Sequence, residues 1–285
     1  MASAGLDADR TRAGRKHAYD PASVKALLGT LPFRQVILPS IFIVAALLLW
    51  DIAIQQKGIS PTLLPRPGAV VTVLWKNLAP LMRQAMPTIG KTGLAFLLAV
   101  SCGVALGSLM TLSRRLRQAI FPYVLLFQFI PKIAFGPLFV VWFGTGPQSS
   151  FAFAVFFALF PILVSTTTGL NAADGNAIRL CQSLRSSPWQ TFRRVQFPYA
   201  LPHIFAGMKV GVTMTLIGVI VGEFISAQAG LGYIILFSAS SNDTALLFAA
   251  ITLLCCIGVS LFGLVHLLQH VVLRGMDAKL STNEF

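Results

Sequence analysis

The feature that most limits this chain is a series of apolar runs, each about as long as the ~20 residues a helix needs to cross a bilayer. They fall at Val36–Ile54, Thr88–Leu112, Gln118–Phe143, Phe151–Leu170, Leu201–Phe224 and Ala245–Leu273. A backbone in lipid must satisfy its own N–H and C=O groups, so runs of this length are read as helices. Of the 285 residues, 55% are hydrophobic and 11% charged, whereas soluble domains carry roughly 25% charged residues. The expected fold class is all-α: a polytopic membrane protein with about six transmembrane helices.

The runs are punctuated. The third is interrupted at Pro131–Lys132 and again at Gly136–Pro137. Between the first two, "SPTLLPRPGAVVTVLWKNLAPLMRQAMP" is rich in proline with helical spacing at its centre, which predicts an extended segment and an interfacial helix. Gly93, Gly103 and Gly107 give the second span small faces for close helix contact. Residues 1–34 are polar and basic without a signal-peptide core, so they are expected to form a flexible cytoplasmic tail. Residues 35–275 then make the membrane domain, and 276–285 a short cytoplasmic C-terminal tail.

The formal net charge is +13, but no soluble basic domain with aromatic platforms exists to present it to nucleic acid. Topology explains it better. Of the 22 Lys and Arg, 15 lie in the N-terminal tail, in "SRRLR" (Ser113–Arg117), in Arg179–Arg194 and at the C-terminus. Five lie between Lys57 and Lys91, and segments 144–150 and 226–244 have none. Positive residues accumulate on the cytoplasmic side, which predicts both termini and the loop at 171–198 there. Cys102, Cys181, Cys255 and Cys256 lack metal-ligand spacing, so neither a disulfide nor a metal is expected.

The loop between spans four and five carries "RLCQSLRSSPWQTFRRVQFPYALPHI" (Arg179–Ile204). Ser187–Pro188 is a strong helix start: serine caps a free N–H, and proline at the first position has no N–H to lose. Trp189, Phe192 and Val195 then share one face, and Pro198 is expected to stop the helix. A second short helix is expected over Asn176–Leu184, with Ile178 and Cys181 on its apolar side.

This stretch resembles the cytoplasmic signature loop, the EAA loop, of permease subunits in bacterial ATP-binding-cassette importers. "SPWQTFRRVQFPYALPHIFAGMKVG" (Ser187–Gly211) follows the second half of that motif closely. The first half departs: Arg179 stands at the acidic position, Leu180–Cys181 at the alanine pair and Arg185 at the glycine. "LLPRPGAV", "PKIAFGPLFVVWFGTG", "FPILVSTTTGL" and "VGEFISAQAGLGYII" extend the likeness, in order, over about residues 36–275. Together they resemble permeases of nitrate, sulfonate and taurine importers and their relatives for pyrimidine-type vitamin precursors.

The resemblance implies the type I importer fold and residence in the bacterial cytoplasmic (inner) membrane. The implied partners are a second permease copy, two cytoplasmic ATPase subunits and an extracytoplasmic solute-binding protein, besides membrane lipids. The chain has no Walker-type glycine loop, so ATP and Mg are expected on the partner ATPase, with no cofactor or catalytic residue here. ATPase coupling is assigned to Arg179, Leu184, Arg185, Ser187, Pro188, Trp189, Phe192, Arg193, Pro198 and Pro202. Trp189 and Phe192 are the expected buried anchors, since aromatic residues often dominate interfaces. Arg193 and Arg194 pair either with ATPase carboxylates or with lipid phosphates. Arg179 and Arg185 imply an ATPase groove more acidic than in relatives, or else two arginines that merely face water.

Ionisable residues inside spans are functional candidates by default. Lys132, next to Pro131 in the broken span, either lines a polar path or caps the break. Glu223, close to Gly230, Gly232 and Tyr233, either holds an outer gate or is structural. Lys209 is expected to snorkel, and "GTGPQSS" (Gly144–Ser150) to form a tight outward turn. His266 and His270 share a helix face but make too small a set for a metal. A secondary transporter would need inverted repeats or a polar coupling-ion pathway, whereas no internal repeat is found and intramembrane acids are few. Solute identity stays open between a small anion of the sulfonate, taurine or nitrate kind and a pyrimidine-type compound.

Overall fold

The computed structural model describes the backbone of residues 21–226 and 228–282, and the chain divides into two units, Met1–Ile59 and Ser60–Phe285. The first unit holds helix α1 (Pro21–Lys57), in which Ile37–Gln56 is long and apolar enough to span a membrane. The tail expected over residues 1–34 lies outside the described residues up to position 20. From Pro21 onward the backbone is helical, consistent with a proline at a helix start followed by helix-forming Ala, Lys and Leu residues.

In the second unit α2 (Pro67–Lys76) is the expected short helix before span two. It buries Val70 against Leu81, Ala249 and Ala250 and leaves Trp75 exposed. Helix α3 (Leu78–Leu112) begins at Leu78, not Thr88, and carries Pro87 inside it. A proline costs a helix one backbone hydrogen bond, and membrane helices tolerate that loss where neighbours compensate.

Next come α4 (Arg114–Phe129), a 3₁₀ turn over Lys132–Phe135 and α5 (Gly136–Phe143), with a 97° bend at the break. The interruption at Pro131–Lys132 is therefore real. Gly136–Pro137 breaks nothing; it opens α5, where proline fits the first turn. Among the described residues five helices are long and apolar enough to span, and the bent pair makes a sixth span if counted as one.

Helices α6 (Pro147–Asn171) and α9 (Phe197–Ser226) form the centre. A Cβ added at Gly207, Gly211, Gly218 or Gly222 of α9 would come within 2.5–2.7 Å of Ser165, Ile162, Ala154 or Ser150 of α6. Lipid is as apolar as leucine, so such helices associate by close backbone packing instead of a hydrophobic drive. Gly103 and Gly107 bring α3 against Ile162 and Thr166 of α6 in the same way, whereas a Cβ at Gly93 would meet nothing within 4 Å.

Past α9 the chain forms α10 (Leu231–Ser240), where only a loop was expected, and then α11 (Thr244–Thr282). Asp243 caps α11 by accepting from the Leu246 N–H at 3.0 Å. Helix α11 runs into the segment expected to be a tail from residue 276.

Candidate functional site

The loop between α6 and α9 folds as two capped helices. Asp174 accepts from the Asn176 N–H at 2.9 Å and starts α7 (Gly175–Ser183), one residue from each expected bound. Ile178 and Cys181 are half-buried, while Leu180 and Leu184 are exposed. Arg179 is exposed and donates to Asn176 Oδ1 at 3.0 Å.

Helix α7 ends in a Schellman turn. The Arg185 N–H bonds to Gln182 O at 3.0 Å and the Ser186 N–H to Cys181 O at 2.9 Å. This geometry puts Arg185 in the left-handed region, at φ +53°, where glycine is the usual occupant.

Helix α8 (Pro188–Thr191) opens with a complete capping box: Gln190 N–H to Ser187 Oγ at 3.2 Å, and Ser187 N–H to Gln190 Oε1 at 2.9 Å. Pro198 does not stop the helix, contrary to expectation. A π-helical turn over Phe192–Gln196 carries the backbone straight into α9, with the Phe197 N–H reaching Phe192 O. The wider turn admits Pro198 at the first turn of α9, and Pro202 lies inside that helix one turn on.

The two aromatic anchors part company. Trp189 is 59% exposed, but Phe192 is 6% exposed, packed against Leu170, Ala200 and Ile204. Their rings stack with centroids 5.4 Å apart, so Phe192 supports Trp189 from below. Phe192 faces inward, against Leu170 of α6 and Ala200 and Ile204 of α9, and it is not available as a surface anchor. Arg193 and Arg194 are exposed on the same turn.

At the opposite end of α9, Glu223 is buried at 1% exposure and fully engaged. It accepts from Thr88 Oγ1 at 2.9 Å and from the Gly232 N–H at 2.8 Å, and it pairs with Lys91. Gln84 Oε1 accepts from the Gly230 N–H at 2.9 Å, and Thr88 Oγ1 accepts from the Leu231 N–H at 2.9 Å. The first N–H groups of α10, which a helix leaves without partners, are thus satisfied from α3 and α9. A carboxylate there also faces the positive end of the helix dipole.

The two glycines are dictated by this carboxylate. A Cβ at Gly230 would lie 2.3 Å from Glu223 Cδ, and one at Gly232 would lie 2.7 Å from Glu223 Cβ. Gly230 also has φ +121°. Tyr233 is outside the network and stacks on Phe237 at 6.1 Å. Pro131 and Lys132 are apart from it too, at the bend, where the Lys132 ammonium lies 5.7 Å from the Phe160 ring centroid.

Sequence reasoning missed Gln84, Thr88 and Lys91, having counted Lys91 among loop charges. Their spacing of four and three on one helix face was the available signal, obscured once Pro87 was read as a boundary. Beside Lys91 lies a cavity of about 380 Å³ lined by Pro87, Thr145, Gly146, Pro147, Gln228 and Ala229. Among the described residues no three His, Cys, Asp or Glu side chains converge as metal ligands would.

Residues 99–276 match the family described as "binding-protein-dependent transport system inner membrane component". The chain belongs to this family. It is a multi-pass permease of the ATP-binding-cassette importer type, as the loop's likeness implied. The formylaminopyrimidine transport permease protein ThiX of Halalkalibacterium halodurans is 30% identical, over 84% of this chain and 96% of that protein. The taurine transport system permease protein TauC of Escherichia coli is also 30% identical, over 81% and 84%. In fold the permease is similar to a chain of the inward-facing MetNI methionine ABC transporter, with TM-score 0.58, 19% identity, and coverage of 70% of this chain and 97% of that one. The fold is thus the type I importer permease fold. The matched segment contains both ends of α9 but not Gln84, Thr88 or Lys91.

Proposed function

We propose that this permease moves a small organic solute or anion, of the sulfonate, taurine or nitrate kind, from an extracytoplasmic binding protein into the cytoplasm by alternating access. The observation that carries the mechanism is the continuity of α8, the π turn and α9 from an exposed tryptophan to a buried carboxylate. The 30 residues of α9 correspond to about 45 Å at 1.5 Å per residue. Force applied at Trp189 is therefore delivered to the Glu223 end by one rigid element.

In this reading two cytoplasmic ATPase subunits, which carry the ATP and Mg, close on the α7–α8 loops of two permease copies. Trp189 fills a groove on the ATPase. Leu184, Arg179, Arg185 and Arg193 surround it, with Ser187 and Pro188 fixing the start of the helix and Pro198 and Pro202 its junction with the span. Glu223, Gly230 and Gly232 close the outer end. The 15 Lys and Arg on the loop side support placing both termini in the cytoplasm.

Replacing Trp189 by Ala tests the coupling role. Loss of a central aromatic anchor costs about 2 kcal/mol, roughly thirtyfold in affinity. ATPase recovered with the tagged permease should fall accordingly, while thermal unfolding in detergent stays unchanged. Arg179→Glu should weaken recovery in the same assay, since a more acidic ATPase groove would repel it. Undiminished assembly and transport in both variants would refute the assignment.

A second reading of the solute, a pyrimidine-type vitamin precursor, is favoured by the ThiX likeness, which extends over more of this chain than the TauC likeness does. Thermal stabilisation of the binding protein encoded beside this permease, by taurine, nitrate or a formylaminopyrimidine, decides between the two.

A further inference from the structure

Between α9 and α11 runs a groove of about 350 Å³, lined by Val212 and Leu216 of α9 and by Cys255, Gly258, Val259 and Phe262 of α11. Its walls are almost wholly apolar. At one end stands a cation: the Lys209 ammonium lies 5.9 Å from the Phe262 ring centroid and 2.9 Å from His266 Nδ1. Phe262 thus both lines the groove and carries the charge on its face.

The ammonium has three N–H donors, and imidazole can take one. No carboxylate meets it, for the ion pair present among the described residues is Lys91–Glu223. Donors are thus left for an acceptor from outside the described residues. A second copy is poorly equipped to bring one: of the acids whose side chains are described, Asp51 holds Gln55, Asp174 caps α7, Asp243 caps α11 and Glu223 is enclosed.

Depth points to lipid. Counted back along α9 from Ser226, Lys209 is about 26 Å away at 1.5 Å per residue, close to the ~30 Å thickness of a hydrocarbon core. Lys209 therefore stands near headgroup level on the loop side, with the apolar trough extending from it toward the bilayer centre. An apolar channel about two turns long that ends in a cation is complementary to part of an acyl chain followed by a phosphate.

We propose that the α9–α11 groove is a phospholipid site, with one acyl chain along Val212, Leu216 and Val259 and the headgroup phosphate held by Lys209 and His266. Because α9 is continuous with the coupling loop, the bound lipid braces the moving element against α11.

Native mass spectrometry of the full-length permease, challenged with phosphatidylglycerol, with diacylglycerol of the same chains and with inorganic phosphate, tests this. Phosphatidylglycerol should be retained, and diacylglycerol and inorganic phosphate should not. Lys209→Met should lower retention at least tenfold, Lys209→Arg should preserve it, and Leu216→Trp should abolish it by filling the groove with the lysine intact. Retention unchanged in both Lys209→Met and Leu216→Trp overturns the site. Binding of inorganic phosphate as tight as that of the lipid overturns the lipid assignment, and exclusion of all lipid from the dimer shows that a second copy covers the groove.

Discussion

The two ends of α9 solve opposite problems with the same helix. At the loop end the side chains proposed to dock are exposed, aromatic and basic, and beneath them Phe192 packs on Leu170, Ala200 and Ile204. At the far end the Glu223 carboxylate is itself buried, and its neighbours satisfy it: Thr88, Lys91 and the Gly232 N–H. The proposed docking surface holds its charged groups at the solvent-exposed face. The enclosed Glu223 carboxylate is fully met, because an unmet charge there is costly.

One of the two largest expected effects follows from that contrast. Glu223→Ala leaves the half-buried Lys91 without its counter-charge and the Gly232 N–H without its acceptor, which should cost up to about 3 kcal/mol. Thermal unfolding in detergent should drop sharply or the protein should fail to accumulate. The double change Lys91→Met with Glu223→Gln removes both charges and keeps an acceptor for Gly232, so it should recover most of the loss. If Glu223→Ala unfolds within a degree or two of the parent, the network is incidental.

Phe192→Ala comes next and separates the two aromatic rings. Truncating a buried phenylalanine costs about 3–5 kcal/mol, so this variant should lower the unfolding temperature. Trp189→Ala should leave stability intact and lose the ATPase. Equal behaviour of the pair in both assays would erase the distinction between support and contact.

How much of this was legible in the sequence differs by end. Ser187–Pro188, the apolar runs and Gly103/Gly107 were readable because local chemistry decides caps, spans and small faces. Glu223, Gly230 and Gly232 were visible as neighbours in "VGEFISAQAGLGY", yet the reason for the glycines was not, since it depends on where a carboxylate lands after folding. Lys91 and Thr88 were lost to a proline whose penalty the surrounding helices absorb. Phe192 was misplaced because the spacing of three that pairs it with Trp189 does not say which ring packs on Leu170, Ala200 and Ile204 after folding.

The smallest expected effect concerns Arg185. An L-residue in the left-handed region carries about 1–2 kcal/mol of backbone strain, and glycine removes it at an entropic cost of roughly 0.5–1 kcal/mol in the unfolded chain. Arg185→Gly should therefore stabilise the permease slightly, by about 0.5 kcal/mol, an upward shift of a degree or so. A residue kept in a strained conformation that a smaller one would relieve points to a use for its side chain. In the proposed coupling role the guanidinium meets the ATPase, so Arg185→Gly should gain stability while losing a few-fold of ATPase recovery. Arg185→Asn, neutral but tolerant of the same backbone angles, should lose the same recovery. If both variants assemble as well as the parent, Arg185 is a strained bystander, and the loop's docking surface reduces to Trp189 and the arginines on either side.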